Sequence, residues 1–221
     1  MSFIVGIDGP AGSGKGTVTK KVANELGLIN IDTGATYRCV ALKCLNNNIK
    51  IDEKERIIDI SKNIDIKIEA NPEGDVFFLD GENVTKQIRS KEVTNIVSQV
   101  SSIKEVRYAM VELQRKIAEG KNVIMEGRDI CTYVFPNADV KIYLEASLEE
   151  RANRRYKENQ EKGINMSYEE VRNNIEMRDN NDKIKEVGAL KLAPDSIVVD
   201  TTNKTIDEVV EEIIKIIKEK Y

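Results

Sequence analysis

The sequence predicts an α/β protein built on a doubly wound, mostly parallel sheet, with a small antiparallel β subdomain inserted and a short helical lid. Three observations lead there: short near-continuous apolar runs, segments of helical spacing between them, and a glycine-rich turn directly after the first run. In such sheets ligands sit beyond the carboxyl ends of the strands, so the informative residues should follow strands.

Composition narrows the function before any motif does. A chain of 221 residues, 40% of them apolar, can bury a full core, and it reads as one domain with an insertion. The formal charge of -4, from 34 basic and 38 acidic residues, gives no global field toward nucleic acid or anionic lipid, so any anion site is local. The absence of histidine excludes His-based zinc sites, imidazole general bases and Ser-His triads. Three cysteines, no basic-then-apolar leader and no apolar run of 18 residues predict a cytoplasmic, reduced chain with no membrane partner.

The elements follow in order. Residues 2–8, SFIVGID, have the apolar density of a buried parallel strand; a helix follows the glycine-rich turn and closes at Gly27. Residues 64–85, IDIKIEA, NPEG and DVFFLDGENVT, read as a hairpin or small antiparallel sheet, and 90–120 as one long helix or two short ones. Further strands are predicted at 122–126, 140–146 and 196–200. Ser147 with Glu150, Ser167 with Glu170 and Thr205 with Glu208 match the capping box at helix starts. The core is assigned to about 1–35, 120–147 and 190–221, an insert to 36–119 and a lid to 148–189. Tyr37 and the apolar stripe of 206–220 read as packing.

The turn itself carries the chemistry. In GIDGPAGSGKGT, Gly9, Gly14 and Lys15 satisfy the G-x-x-x-x-G-K core of a P-loop, whose successive backbone N–H groups surround phosphate oxygens while the lysine reaches the terminal phosphates. The strand before and the helix after supply the required context, and the helix N-terminus adds its positive end. This makes the expected fold that of a P-loop NTPase. A dinucleotide-binding loop would need glycine where Thr17 stands, and a GTPase would need D-x-x-G, which is missing. The residue after Lys15 is Gly16, and the hydroxyl comes one place later at Thr17, so magnesium accompanying ATP is expected to be held mainly by phosphates and water.

Arginines supply a second anion site: Arg38, Arg128, the ERANRR cluster with Arg151, Arg154 and Arg155, and Arg178. Several guanidiniums around a P-loop imply a substrate with more phosphate than ATP alone. Together GIDGPAGSGKGT, DTGATYR, SQVSSIKEVR, EGRDI, VFPNADVKIYLEAS and RDNND, in this order, make the chain resemble the bacterial cytidylate kinases from about residue 4 to residue 215.

The resemblance implies transfer of the ATP γ-phosphoryl group to the 5'-phosphate of CMP or dCMP, with an acceptor-binding domain enlarged by an antiparallel sheet, a mobile lid and a monomeric state. It implies that Gly9, Pro10, Ala11, Gly12, Ser13, Gly14, Lys15, Gly16 and Thr17, with Arg154 and Arg155, lie on the ATP side. Thr33, Arg38 and Arg128 then hold the acceptor phosphate, and Arg178 and Asp182 its sugar or phosphate. Ser98, Arg107 and Asp129 read the base, where a carboxylate can accept from the cytosine amine and Arg and Ser can donate to its ring nitrogen and carbonyl. Lys15, Arg128 and Arg178 are the implied catalytic groups. Two positions depart from the family pattern. Cys131 stands where glycine is usual, which would strain a turn of positive φ. Lys185 stands where arginine is usual, without the bidentate phosphate contact. Another small P-loop kinase, for UMP or a small metabolite, and a non-enzymatic nucleotide-binding module remain the alternatives.

Overall fold

The computed structural model describes residues 2–69, 71 and 75–220. Strand β1 (Ile4–Asp8) leads through the glycine-rich turn into α1 (Lys15–Leu26), which ends at Gly27, and β2 (Ile29–Asp32) runs directly into α2 (Thr33–Asn46). Helix α3 (Lys54–Asn63) precedes the antiparallel strands β3 (Ile66–Glu69), β4 (Val76–Leu79) and β5 (Glu82–Asn83). A 3₁₀ turn at Gln87–Arg89 leads to α4 (Lys91–Val100) and α5 (Lys104–Ala118). Then come β6 (Val123–Gly127), a π-helical turn at Ile130–Val134, and β7 (Val140–Glu145). Helices α6 (Leu148–Glu161) and α7 (Tyr168–Lys183), strand β8 (Ile197–Asp200) and helix α8 (Ile206–Lys218) complete the fold.

The main sheet has the order β2-β6-β1-β7-β8 and is parallel throughout. The chain leaves β1 toward β2 on one side and leaves β6 toward β7 on the other. The crevice beyond the carboxyl ends of β1 and β6 is therefore the topological switch point. One sheet face packs Val5, Ile7, Ile142 and Leu144 against Val18 and Val22 of α1 and Val209, Ile213 and Ile217 of α8. The other covers Ile31, Val123 and Met125 with Val111, Ala118, Ile130 and Val134. A separate core joins α2 to α5 and the antiparallel sheet through Cys39, Ile57, Phe77, Ile88 and Met110. Among the described residues no helix is long and apolar enough to cross a membrane.

The predicted elements are present, with differences that have local causes. Strand β2 was not expected: INID is short and half polar, and its place is set by pairing with β6 from Ile29 to Asp32. Helix α3, KERIIDISKN, was also unforeseen; it buries only Ile57 and Ser61. The stretch 90–120 is two helices broken at 101–103, where Ser101 and Ser102 hydroxyls donate to the Ser98 carbonyl. Capping boxes form completely at Ser167 with Glu170 and at Thr205 with Glu208. At Ser147 only half of one forms, because the Glu150 carboxylate accepts from Arg154 instead. The hairpin's expected turn lies, at 72–74, outside the described residues.

Ile213 is fully buried between α8 and the sheet. Ile213→Ala should lower unfolding free energy by about 2–5 kcal/mol through lost transfer energy and a cavity, read as a lower midpoint at unchanged slope in urea denaturation.

Candidate active site

Asp8 at the end of β1 stands opposite Gly127 at the end of β6, and Asp32 at the end of β2 stands opposite Glu126. Three loops therefore begin level with one another, carrying the P-loop, the pair Arg128 and Asp129, and Thr33. The Asp8 carboxylate joins two of them. Only 1% exposed, it accepts from the amides of Ile130 and Cys131, both at 2.8 Å. Burial raises its pKa to about 6, although those two amides pull the other way.

The P-loop is tightly wrapped. Gly9 runs so close beneath β7 that a Cβ would stand 2.1 Å from the Leu144 carbonyl oxygen, and Pro10, Ala11 and Ser13 are buried. Lys15 Nζ donates to the carbonyls of Gly9 and Pro10, each at 2.7 Å, and to the Ser13 hydroxyl at 3.2 Å. Burial, and after it the charge of Arg128, hold its pKa well below the usual lysine range. Gly14 caps α1, while Gly16 and Thr17 face outward. A Cβ at Gly16 would lie 2.9 Å from Glu126 Oε1, so the Glu126 carboxylate stands where a P-loop hydroxyl side chain would otherwise begin. Burial and the neighbouring Asp32 raise the pKa of Glu126. Helices α6 and α7 reach the same loop: the Ala11 amide donates to Asp179, and Arg151 donates to the Ala11 carbonyl.

Across the crevice the Thr33 hydroxyl donates to the Glu126 carbonyl at 2.7 Å. Arg38 donates to the Ile88 carbonyl and the Thr94 hydroxyl. Arg128 Nε donates to Asp182 at 2.9 Å, and Lys185 pairs with the same carboxylate at 2.8 Å. Burial alone would raise Asp182, but Arg128 and Lys185 hold it down at about 2. Arg38 is lowered to about 10 by burial and then by Arg89 and Arg178. Arg178 is lowered by burial and then by Arg128, and it forms no salt bridge among the described residues.

Between α5 and the end of β6, Arg107 and Asp129 form a buried ion pair, 2% and 5% exposed. The Arg107 guanidinium lies over the Tyr37 ring, 5.2 Å from its centroid, while its Nε is buried without a hydrogen-bond partner. Tyr37 thus supports a site residue besides filling space. Gly188 is left-handed (φ 63°) and presses on this pair: a Cβ there would fall 2.1 Å from Asp129 Oδ2. Lys185, its side chain 5% exposed, also donates to the Ser101 hydroxyl, so it is held at this end of the crevice. Ser98 is half-buried near the end of α4.

The two remaining predicted residues sit on α6. Arg154 is anchored to Thr201 through both Nη atoms and to Glu150 through Nε, and Arg155 pairs with Glu158 at the surface. Cys131 has no positive φ; its thiol packs against Gly6, where a Cβ would meet Sγ at 2.8 Å, and burial raises its pKa far above the thiol range. The expected strain does not arise. Sequence reasoning passed over Asp8, Glu126, Arg89 and Asp179, and it counted Arg151 among the arginines of the second anion site, whereas the side chain pairs with Asp179 and the Ala11 carbonyl. Asp8 and Glu126 had a signal, since each is an acid within an otherwise apolar strand run.

A glycine-rich turn with its buried lysine at the switch point of a parallel sheet, faced by Arg128, Arg38 and Arg178, is the arrangement of a P-loop phosphotransferase. The cytidylate kinase family profile matches residues 5–219, and the chain belongs to that family. It is 48% identical over 212 residues to a cytidylate kinase of Caldicellulosiruptor saccharolyticus, covering 96% of this chain and 94% of that one. It is also 48% identical over 213 residues to one of Clostridioides difficile, covering 96% and 97%. Among solved structures, an uncharacterized protein from Eubacterium ventriosum aligns with TM-score 0.56 at 12% identity, covering 98% of this chain and 99% of that one. A gluconokinase from Sinorhizobium meliloti aligns at 0.50 and 13%, covering 99% and 92%. At such identities these two share the fold alone.

The raised pKa of Asp8 has a consequence for stability. The folded state takes up this proton first, so the stabilisation is full below the unfolded value of 3.8 and is lost as pH rises through about 6. Asp8→Asn should remove that component, flattening the dependence of unfolding free energy on pH between about 4 and 6.5 in urea titrations.

Proposed function

We propose that the chain is a cytidylate kinase that transfers the γ-phosphoryl group of ATP to the 5'-phosphate of CMP or dCMP, giving ADP and CDP or dCDP. The observation that carries this reading is the crowding of Lys15, Arg38 and Arg178, each with a pKa depressed by burial and then by a neighbouring cation. Cations kept this close out of water are stabilised by shared anions, and a triphosphate chain facing a monophosphate supplies them.

In this reading, residues 9–17 surround the ATP phosphates and Lys15 reaches across to the transferred group. Thr33, Arg38 and Arg128 hold the acceptor phosphate, and Arg178 and Asp182 hold its sugar or phosphate. Arg154 and Arg155 lie on the ATP side. The acceptor is already anionic and needs no general base, so alignment and charge neutralisation by Lys15, Arg128 and Arg178 lower the barrier. Magnesium, when bound with ATP, neutralises charge on the β- and γ-phosphoryl oxygens. Glu126 fits a cation, since a positive ion would offset its burial and the charge of Asp32, which is itself paired with Arg89. It would hold the ion through water.

The base is read by Ser98, Arg107 and Asp129, with Lys185 beside them. The unpaired Arg107 Nε is a donor for the cytosine ring nitrogen or carbonyl, and Asp129 an acceptor for its amine. We further propose a monomeric, cytoplasmic enzyme with no nucleic-acid or membrane partner.

Coupled ADP-release assays with CMP, dCMP, UMP, AMP and shikimate test the assignment: CMP and dCMP should turn over, and preference for any other acceptor would overturn it. Lys15→Ala should lower kcat by a factor on the order of 10² to 10³ in a folded protein, the usual loss of a transition-state charge contact. Asp129→Ala should lower kcat/KM for CMP by roughly 10 to 200-fold with little change in KM for ATP, and should narrow the CMP over UMP preference. An unchanged CMP to UMP ratio at saturating ATP would remove Asp129 from base recognition.

A further inference from the structure

Helix α7 touches both sides of the crevice within a single turn. Asp179 and Asp182 are three residues apart and so lie on one face of the helix. Asp182 grips Arg128 and Lys185 on the acceptor side. Asp179 grips the P-loop: its Oδ1 accepts from the Ala11 amide at 2.9 Å, and its Oδ2 pairs with Arg151 Nη1 at 2.5 Å. Arg151 Nη1 also donates to the Ala11 carbonyl at 2.8 Å, and its Nε donates to the Ala146 carbonyl. Both polar groups of the Ala11 peptide unit's residue are thus held by lid side chains, and Asp179 and Arg151 are 6% and 7% exposed. The contact is sealed by apolar packing of Ala11 against Ala152, Val171 and Ile175. The helix also stands directly on the loop, since a Cβ at Gly12 would meet the Arg151 Cβ at 3.2 Å.

Arg178 precedes Asp179 and has no salt bridge of its own among the described residues to fix it. Its location is inherited from the helix, and Asp179 makes the helix's polar attachment to the P-loop. We propose that Asp179, with Arg151, is a positioning residue for phosphoryl transfer, setting the register of α7 against the P-loop so that Arg178 stands at the junction of donor and acceptor phosphates. Neither residue contacts a substrate in this role. The proposal rests on the kinase reading above, under which Arg178 neutralises the transferring group.

A double-mutant cycle in steady-state kinetics tests it, using Asp179→Ala, Arg178→Ala and the pair, at saturating ATP and CMP. Asp179→Ala should lower kcat by about 10 to 100-fold, while the dissociation constant of ADP, measured by calorimetry, changes less than about threefold. In the Arg178→Ala background the same change should lower kcat by less than about threefold, because the group it positions is gone. Multiplicative losses in the two backgrounds, or an ADP affinity that falls as much as kcat, would overturn the proposal and make Asp179 a brace of the P-loop alone. If Asp179→Ala does not fold, Asp179→Asn runs through the same cycle. It keeps an oxygen for the Ala11 amide and loses the Arg151 pair, so a smaller but still non-additive loss is expected. Wild-type turnover of CMP bears on the kinase reading separately: without it the reading fails, whatever the cycle returns.

Discussion

The crevice is organised by the level ending of β1 and β6 and by the one carboxylate that seals it. A one-residue slip between these strands would turn every side chain to the opposite face and separate the P-loop from the Arg128 loop by a residue's rise. Asp8 opposes such a slip because its two oxygens are matched to two consecutive amides, of Ile130 and Cys131. A buried carboxylate is unfavourable unless it is hydrogen-bonded, and here the neighbouring loop supplies the two backbone donors. The apolar core fixes the sheet, and this polar contact fixes how the two loops leave it.

Around that frame the charges are arranged in layers. Buried or half-buried carboxylates at Asp8, Asp32, Glu126, Asp129, Asp179 and Asp182 line the base of the crevice, and Lys15, Arg38, Arg107, Arg128, Arg151 and Arg178 are set against them. The pairs differ in kind. Arg107 with Asp129, Arg151 with Asp179, and Arg128 with Asp182 are closed contacts that hold shape. Lys15, Arg38 and Arg178 form no salt bridge among the described residues, and burial followed by a neighbouring cation weakens their hold on the proton. Cations buried in this way interact more strongly with an arriving anion than they would in water.

The strands, the P-loop and the inserted hairpin were legible because they rest on local rules: apolar density, glycine spacing and alternation. Lys15, Arg128 and Asp129 could be located from the strands they follow. Strand β2 was not legible, because only pairing with β6 makes INID a strand. Tyr37 read as packing because its partner, Arg107, lies on another helix, 70 positions along the chain. Glu150 could be read as half of a capping box, but whether it turns back to Ser147 or outward to Arg154 is a tertiary competition with no trace in spacing. Asp179 and Arg151 are charges on helices of otherwise polar composition, and only the fold brings them to Ala11.

The face shared by Asp179 and Asp182 also bears on how sequences of this kind can change length. An α-helix advances 100° per residue, so one inserted or deleted residue between them would leave either the P-loop or Arg128 without its carboxylate. Helix α7 therefore admits no insertion or deletion at that turn, whereas the connection at 162–167 carries no such double attachment. Length variation in helix pairs built this way belongs in the loop that joins them, which can lengthen or shorten while the reach across the crevice stays the same.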